Sequence, residues 1–246
     1  MSSTHANDKG PISGLASVSA LLVETGLYSD FTVNCQGRVW KLHRIIVLPQ
    51  SKVLAARIDG NFKEGITREI NLPDDDPKIF DRLIQFLSKE TFDDEASTNE
   101  VSEDSHLTIY TKVYVLAEKY DIPSLKELAT SKFKKAVAPE WNPDSLATSL
   151  ELMYTELPDS DLMLKKVAIE AASEHIGELV DRAEFESMCK KYPGVAFDIF
   201  KGFVASMHPR GKFEKCPKHG TSQDSCIYWH YFTSQYYCAD CRGEFK

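Results

Sequence analysis

The stretch "CPKHGTSQDSCIYWHYFTSQYYCADC", residues 216–241, holds four of the chain's six cysteines. Cys216 and His219, then Cys238 and Cys241, form two pairs with two residues between partners, and Gly220 and Gly243 follow closely. Ligands so spaced can be aimed by a tight turn at one ion, and glycine tolerates the positive φ such a turn needs. Zinc takes four soft or borderline ligands in a tetrahedron, which three thiolates and one imidazole satisfy. The expectation is a structural Zn2+ held by Cys216, His219, Cys238 and Cys241, with Cys226 and His230 in reserve. The 18 residues between the pairs are rich in Tyr, Trp and Phe and read as two short strands meeting at "TSQ", as in a zinc ribbon. A piece this small buries little surface, so a metal would replace the missing core. A catalytic zinc keeps one position open beside a general base, and four filled positions leave none.

Metal binding by clustered thiols presupposes a reducing compartment. The opening "MSSTHANDKGPISG" has no apolar core flanked by basic residues, and no stretch approaches the roughly 20 apolar residues of a membrane helix. The expected location is therefore cytoplasm, nucleus or both, with no membrane partner. Cys35 and Cys189 stand alone in apolar patterns and read as small buried hydrophobes. A formal net charge of -8 opposes broad binding to a phosphate backbone, and the tail is only mildly basic, so direct nucleic-acid contact is not expected. With 42% hydrophobic and 27% charged residues over 246 positions, the composition is that of a folded protein large enough for one large or two modest domains.

The elements that must carry these residues follow from periodicity. Leu15, Val18, Leu22 and Val23 recur at helical spacing, and Gly26 can close that helix. Phe31, Val33 and Cys35 alternate with polar residues, Gln36-Gly37 supplies a tight turn, and Val39 to Leu42 resume an extended run: a β-hairpin. Pro49 breaks "IIVLPQSKVLAARI" into two short helices, the second capped by Ser51. Glu69 to Leu72 form a short strand before an acidic turn, and Asp76-Pro77 opens a helix bearing Phe80, Leu83, Ile84 and Leu87. Residues 93–105 form an acidic, serine-containing loop. Helices then continue to Met207: "LTIYTKVYVLAEKYD", "PSLKELATSKFKKAV", one opened by Pro143, one spanning Leu164 to Ile176, and a last one holding Ile199, Phe200 and Phe203. The order is that of an α+β first domain with a helical extension.

"YSDFTVNCQGRVWKLHRIIVLPQSKVLAARI" resembles the BTB/POZ domain, particularly its fungal type. The residues that carry the likeness are Ser29-Asp30, Trp40 with His43-Arg44, and Ser51 with Leu54. "FKEGITREINLPDDDPKIFDRLIQFL" is similar to the family's next segment, and "VYVLAEKYDIPSLKELATSKF" to its closing helix pair. "FLSKETF" departs from the family's usual "YLYTGxY", so no strand is carried over there. The resemblance covers residues 21–137 and implies a small sheet flanked by helices. The chain then divides into a disordered N-terminus at 1–11, a BTB/POZ-like domain at 12–137, a helical extension at 138–207 and a zinc-binding tail at 208–246. Asp30 and His43 read as structural hydrogen bonders, and no nucleophile has a partner base.

The resemblance implies an interaction module rather than an enzyme. BTB domains self-associate through the first helix and sheet, and many recruit a cullin ubiquitin-ligase scaffold for a bound client. The family's cullin-contact pattern, an apolar residue, any residue, then glutamate, is matched by Phe62-Lys63-Glu64. The expected function is a BTB-mediated adaptor. A nuclear transcriptional co-regulator acting through self-association is the alternative, and a zinc hydrolase a more distant one.

Overall fold

The computed structural model describes residues 14–94, 104–207, 227–230, 235–238 and 244–245, the last three segments as backbone. The expected disordered N-terminus, most of the acidic loop, and Cys216, His219, Cys226 and Cys241 lie outside the described residues.

Helix α1 (Leu15–Thr25) ends at Gly26, whose φ of 66° lets its N–H reach back to the Leu22 carbonyl. Strands β1 (Phe31–Cys35) and β2 (Arg38–Leu42) pair antiparallel, with Val33 opposite Trp40, across a turn in which Gln36 and Gly37 both take positive φ. Strand alternation buries Phe31, Val33, Cys35, Trp40 and Leu42 on one face. Strand β3 (Glu69–Asn71) lies parallel to β1 on the other side, with Ile70 level with Val33. It stops one residue short of the expected Leu72. Between β2 and β3 run α2 (Arg44–Val47), a 3-10 turn over Leu48–Gln50, α3 (Lys52–Asp59) and α4 (Lys63–Thr67). Pro49 falls in the 3-10 turn, where its missing N–H costs nothing, and the Ser51 hydroxyl accepts from Leu54 N–H to start α3. The single turn α4 is absent from the sequence expectation, because five residues containing a glycine carry no periodic signal.

Helix α5 (Pro77–Lys89) is amphipathic and capped by Asp76, whose carboxylate accepts from the Lys78 and Ile79 N–H groups. Its Phe80 meets Trp40 and Tyr120 edge-on, with ring centroids 5.2 and 5.9 Å away. Tyr120 follows α6 (His106–Lys119), which packs antiparallel-style through a short turn against α7 (Pro123–Ala136). No strand replaces "FLSKETF" among the described residues: α5 runs to Lys89 and the chain is then irregular.

The helices beyond residue 138 do not form a separate core. Leu146, Leu150 and Met153 of α8 (Pro143–Glu156) and Leu164 and Ala168 of α9 (Met163–Glu174) belong to the same buried cluster as Val33 and Phe80. The cluster continues through α10 (Ile176–Leu179) and α11 (Ala183–Lys191) to Ile199 of α12 (Pro193–Met207). One correction follows: Ile176 opens its own short helix, because α9 ends at Glu174. On α12, Val195 and Ile199 are buried while Phe200 lies mostly exposed. The connection between the two halves is held from both sides: His106 pairs with Glu140 at 2.7 Å, and Trp141 stacks on His175 at 3.9 Å while donating to Glu178. No helix among the described residues is long and apolar enough to cross a membrane.

Asp161 is the polar tie across this junction. Its carboxylate accepts from the Tyr114 hydroxyl at 2.6 Å and from Lys126 Nζ at 2.7 Å. Burial alone would raise its pKa, but the hydrogen bonds from Lys126 and Tyr114 outweigh it and hold the carboxyl below the ordinary range. A depressed folded-state pKa contributes stability that is present above the unfolded value of about 3.9 and lost as pH falls through the folded one. Asp161→Asn should therefore cost about 1–3 kcal/mol at neutral pH in denaturant unfolding, and the gap to wild type should close below that unfolded value. A gap that persists unchanged into strong acid would contradict this role.

A candidate protein-docking surface

The two sequence-matched residues Phe62 and Glu64 sit together on α4. Phe62 is the residue before its first turn, and Glu64 lies within that turn. The Phe62 carbonyl accepts from the Gly65 and Ile66 N–H groups, and the Thr67 hydroxyl donates to the Lys63 carbonyl. Arg68 closes the turn in the left-handed region, at φ 57°, and its carbonyl accepts from Thr32 of β1. The helix is thus strapped between the end of α3 and the sheet.

Gly65 makes that position possible. A Cβ there would stand 2.2 Å from the Gly60 carbonyl oxygen and 3.0 Å from that of Ile58, both backbone atoms at the end of α3. With the inner side occupied by this backbone approach, the apolar side chains of α4 point out. Phe62 is 67% exposed and Ile66 80% exposed, four residues apart and so on one face. Burying each against a partner is worth about 1.5–3 kcal/mol, and the half-buried Glu64 lies between them in sequence. Ile66 was not singled out from the sequence, though its i+4 spacing from Phe62 was the available signal.

Further exposed apolar residues lie on the turn after α1 and at the start of α2. Tyr28, at φ 62°, is 87% exposed, Ile45 is 85% exposed, and Leu27 stands beside them in sequence and is exposed too. His43 Nε2 donates to the Leu27 carbonyl at 2.6 Å, and Asp30 accepts from Arg44 N–H at 2.8 Å. Asp30 therefore caps α2 rather than its own turn, while His43 is buried and fixes the Leu27–Tyr28 turn, as a structural histidine should. Arg44 and Asp59 form an ion pair linking α2 to α3.

The titratable cluster inside the fold is structural. Asp75, buried, accepts from Lys119 Nζ and the Tyr120 hydroxyl, both at 2.7 Å. Its carbonyl accepts from Cys35 Sγ at 3.1 Å and Gln36 Nε2 at 3.0 Å. Burial first, and then the negative charges of Asp75 and Asp76, push the Cys35 thiol up to about 11, so it stays protonated and unreactive. Cys189 is half-buried, and burial raises its thiol too. Of the expected zinc ligands, Cys238 lies at the end of β5 (Gln235–Cys238) and His230 at the end of β4 (Ile227–His230); these strands pair antiparallel as the sequence expected.

Residues 21–137 match the family model for the BTB/POZ domain. BTB/POZ and MATH domain-containing protein 4 of Arabidopsis thaliana is 25% identical over 197 residues, 78% of this chain and 40% of that protein. Kelch repeat and BTB domain-containing protein 4 of Homo sapiens is 25% identical over 168 residues, 68% of this chain and 28% of that protein. A BTB/POZ domain-containing protein of Arabidopsis thaliana is 22% identical over 182 residues, 74% of this chain and 79% of its own length. The chain thus spans well under half the length of the first two. These three are plant and human proteins, and the fungal type finds no support among them.

Because Gly65 meets backbone rather than a movable side chain, Gly65→Ala should destabilise the protein by about 1–3 kcal/mol even though alanine favours helix by about 1 kcal/mol. Ile66→Ala, on the open face of the same turn, should stay within about 0.5 kcal/mol. Equal stabilities for the two variants in urea unfolding would show that α4 does not sit this close to α3.

Proposed function

We propose, from the premise that residues 21–137 are a BTB/POZ domain, that the chain is a protein-interaction adaptor that offers shaped surfaces and no catalysis. The domain is a protein-interaction module, and its relatives here join it to Kelch repeats or a MATH domain. The finer reading is a substrate receptor for a cullin-type ubiquitin ligase. What supports it is the outward-facing Phe62 and Ile66 with Glu64 between them, on a helix whose inner side is closed by backbone. Apolar anchors flanked by an orienting charge are the composition of an interface hot spot. The helical extension, sharing the domain's core, lengthens the rigid body on which a client would be held, and the C-terminal segment, with its metal ligands, belongs to the client side.

Phe62→Ala combined with Glu64→Ala should abolish capture of a cullin N-terminal domain, a loss of at least about 100-fold in affinity if each anchor behaves as a hot spot. Capture that survives the double change would rule out this contact.

Self-association is the second part of the proposal and also what a nuclear co-regulator would need. The exposed Leu27, Tyr28 and Ile45 support it: the bond from His43 to the Leu27 carbonyl joins the turn after α1 to the start of α2, and exposed apolar patches mark interaction sites. Light scattering on wild type and on Tyr28→Asp with Ile45→Asp should show a dimer converted to a monomer. A wild type that is monomeric at tens of micromolar, or a variant that still dimerises, would count against this surface.

A further inference from the structure

The BTB sheet keeps one edge open among the described residues. Its strand order is β2–β1–β3, so β2 is an outer strand. Thr32 N–H donates to the Arg68 carbonyl, and the Asn34 carbonyl accepts from Leu72 N–H, which turns the backbone groups of Thr32 and Asn34 toward β3. Neighbouring residues of a strand alternate in the side to which their N–H and C=O point. Phe31, Val33 and Cys35 therefore face β2, where they meet Leu42, Trp40 and Arg38. Val39 and Lys41, which lie opposite Asn34 and Thr32, turn their N–H and C=O groups outward. Among the described residues these groups have no hydrogen-bond partner.

The open edge borders a cleft of about 670 Å³. Helix α1 lines it through Ala20 and Val23, and α5 through Ile84 and Lys89. Gly26 holds the end of α1 against β2, since a Cβ there would stand 3.0 Å from Lys41 Cβ. One carboxylate on the lining is already spent: Asp81 accepts from Arg38 at 2.6 Å, from Trp40 Nε1 at 3.0 Å and from Gln85 Nε2 at 3.1 Å. Lys41 and Lys89 have no ion-pair partner among the described residues, and Glu24 is the remaining carboxylate on the lining.

These features define an occupant. Outward N–H and C=O groups are matched by another extended backbone, the mode in which a peptide adds a strand to a sheet. A second copy of this chain would bring its own α1 into the cleft beside its own β2, so a lone strand fits where a second sheet edge does not. Lysine on an edge strand discourages chance pairing, and a carboxylate directly across from it turns that repulsion into attraction. We propose that the outer edge of β2 captures an extended segment of a partner protein, with an acidic side chain opposite Lys41 and apolar side chains on the α5 side of the cleft. This rests on the adaptor reading and gives a client segment a place on the domain. It involves neither Phe62 nor Glu64, so cullin capture can fail while this site stands, and the reverse.

The test titrates the isotope-labelled full chain with the acetylated, amidated peptide Thr-Val-Glu-Val-Thr and follows the Val39 and Lys41 amide signals. Both should shift and saturate, and both amides should exchange more slowly with solvent. The same peptide N-methylated at glutamate keeps its side chains but loses a backbone donor, and should bind at least about tenfold more weakly. Lysine in place of glutamate should cost about fivefold, and Lys41→Glu should reverse that preference. Val39→Pro removes an outward N–H that the ladder with β1 does not use, so the variant should stay folded and lose at least about tenfold in affinity. Lys41→Glu, at an exposed position, decides should the proline variant not fold. No shift at either amide, or equal binding of the N-methylated peptide, would overturn the proposal. So would amides already protected in the peptide-free chain, because another part of the chain or a second copy would then hold the edge.

Discussion

A buried carboxylate, Asp75, holds the small sheet to the helices. Removing a carboxylate from water costs several kcal/mol unless charge-assisted hydrogen bonds replace the water. Here Lys119 and Tyr120, at the end of α6, provide them. The Asp75 backbone carbonyl meanwhile receives Cys35 and Gln36 from the end of β1 and its turn. One residue thus joins the hairpin to a helix more than 40 positions away. The Trp40–Phe80–Tyr120 ring contacts run alongside, and the Ser51 hydroxyl donates to the Tyr120 carbonyl while capping α3. Sheet, α3, α5 and α6 are locked to each other by this one neighbourhood.

The outward faces of α4 and of the Leu27–Tyr28 turn are consequences of that frame. With β1 fixed, Arg68 is fixed through its bond to Thr32, and α4 is pressed onto the end of α3 where only glycine fits. The apolar side chains of α4 have no inner side to occupy and remain outside. The Leu27–Tyr28 turn is set in the same way, through His43 and Asp30 at the start of α2. By the same logic the thiol at Cys35 and the phenols at Tyr114 and Tyr120 are all pushed toward their protonated forms by burial and adjacent carboxylates.

Much of this was legible in residues alone. The alternation of Phe31, Val33 and Cys35, the Gln36-Gly37 turn, the Ser51 and Asp76 caps and the helix-opening prolines each act locally, and each formed as read. Asp75 was legible only as part of an acidic turn. Asp74, Asp75 and Asp76 look alike in sequence, and what distinguishes the middle one is a partner 45 residues on. The helices beyond residue 138 were readable as completing a core, but which partner they complete it with, α8 packing against α6, depends on contacts far apart in the chain. Nor does aromatic spacing say which face of the last helix finds a neighbour: Ile199 is buried and Phe200 beside it is mostly exposed. For the proposed docking surface, Phe62 and Glu64 came from resemblance. The reason they face outward, a glycine against a carbonyl, is visible only in three dimensions.

Amide hydrogen exchange of the intact chain, alone and with a cullin N-terminal domain, reads the central claim most directly. If the protein works through the outward face of α4, residues 60–68 should gain protection in the mixture while the Asp75 neighbourhood, already protected, stays unchanged. A mixture in which residues 60–68 exchange as fast as in the free chain would contradict it.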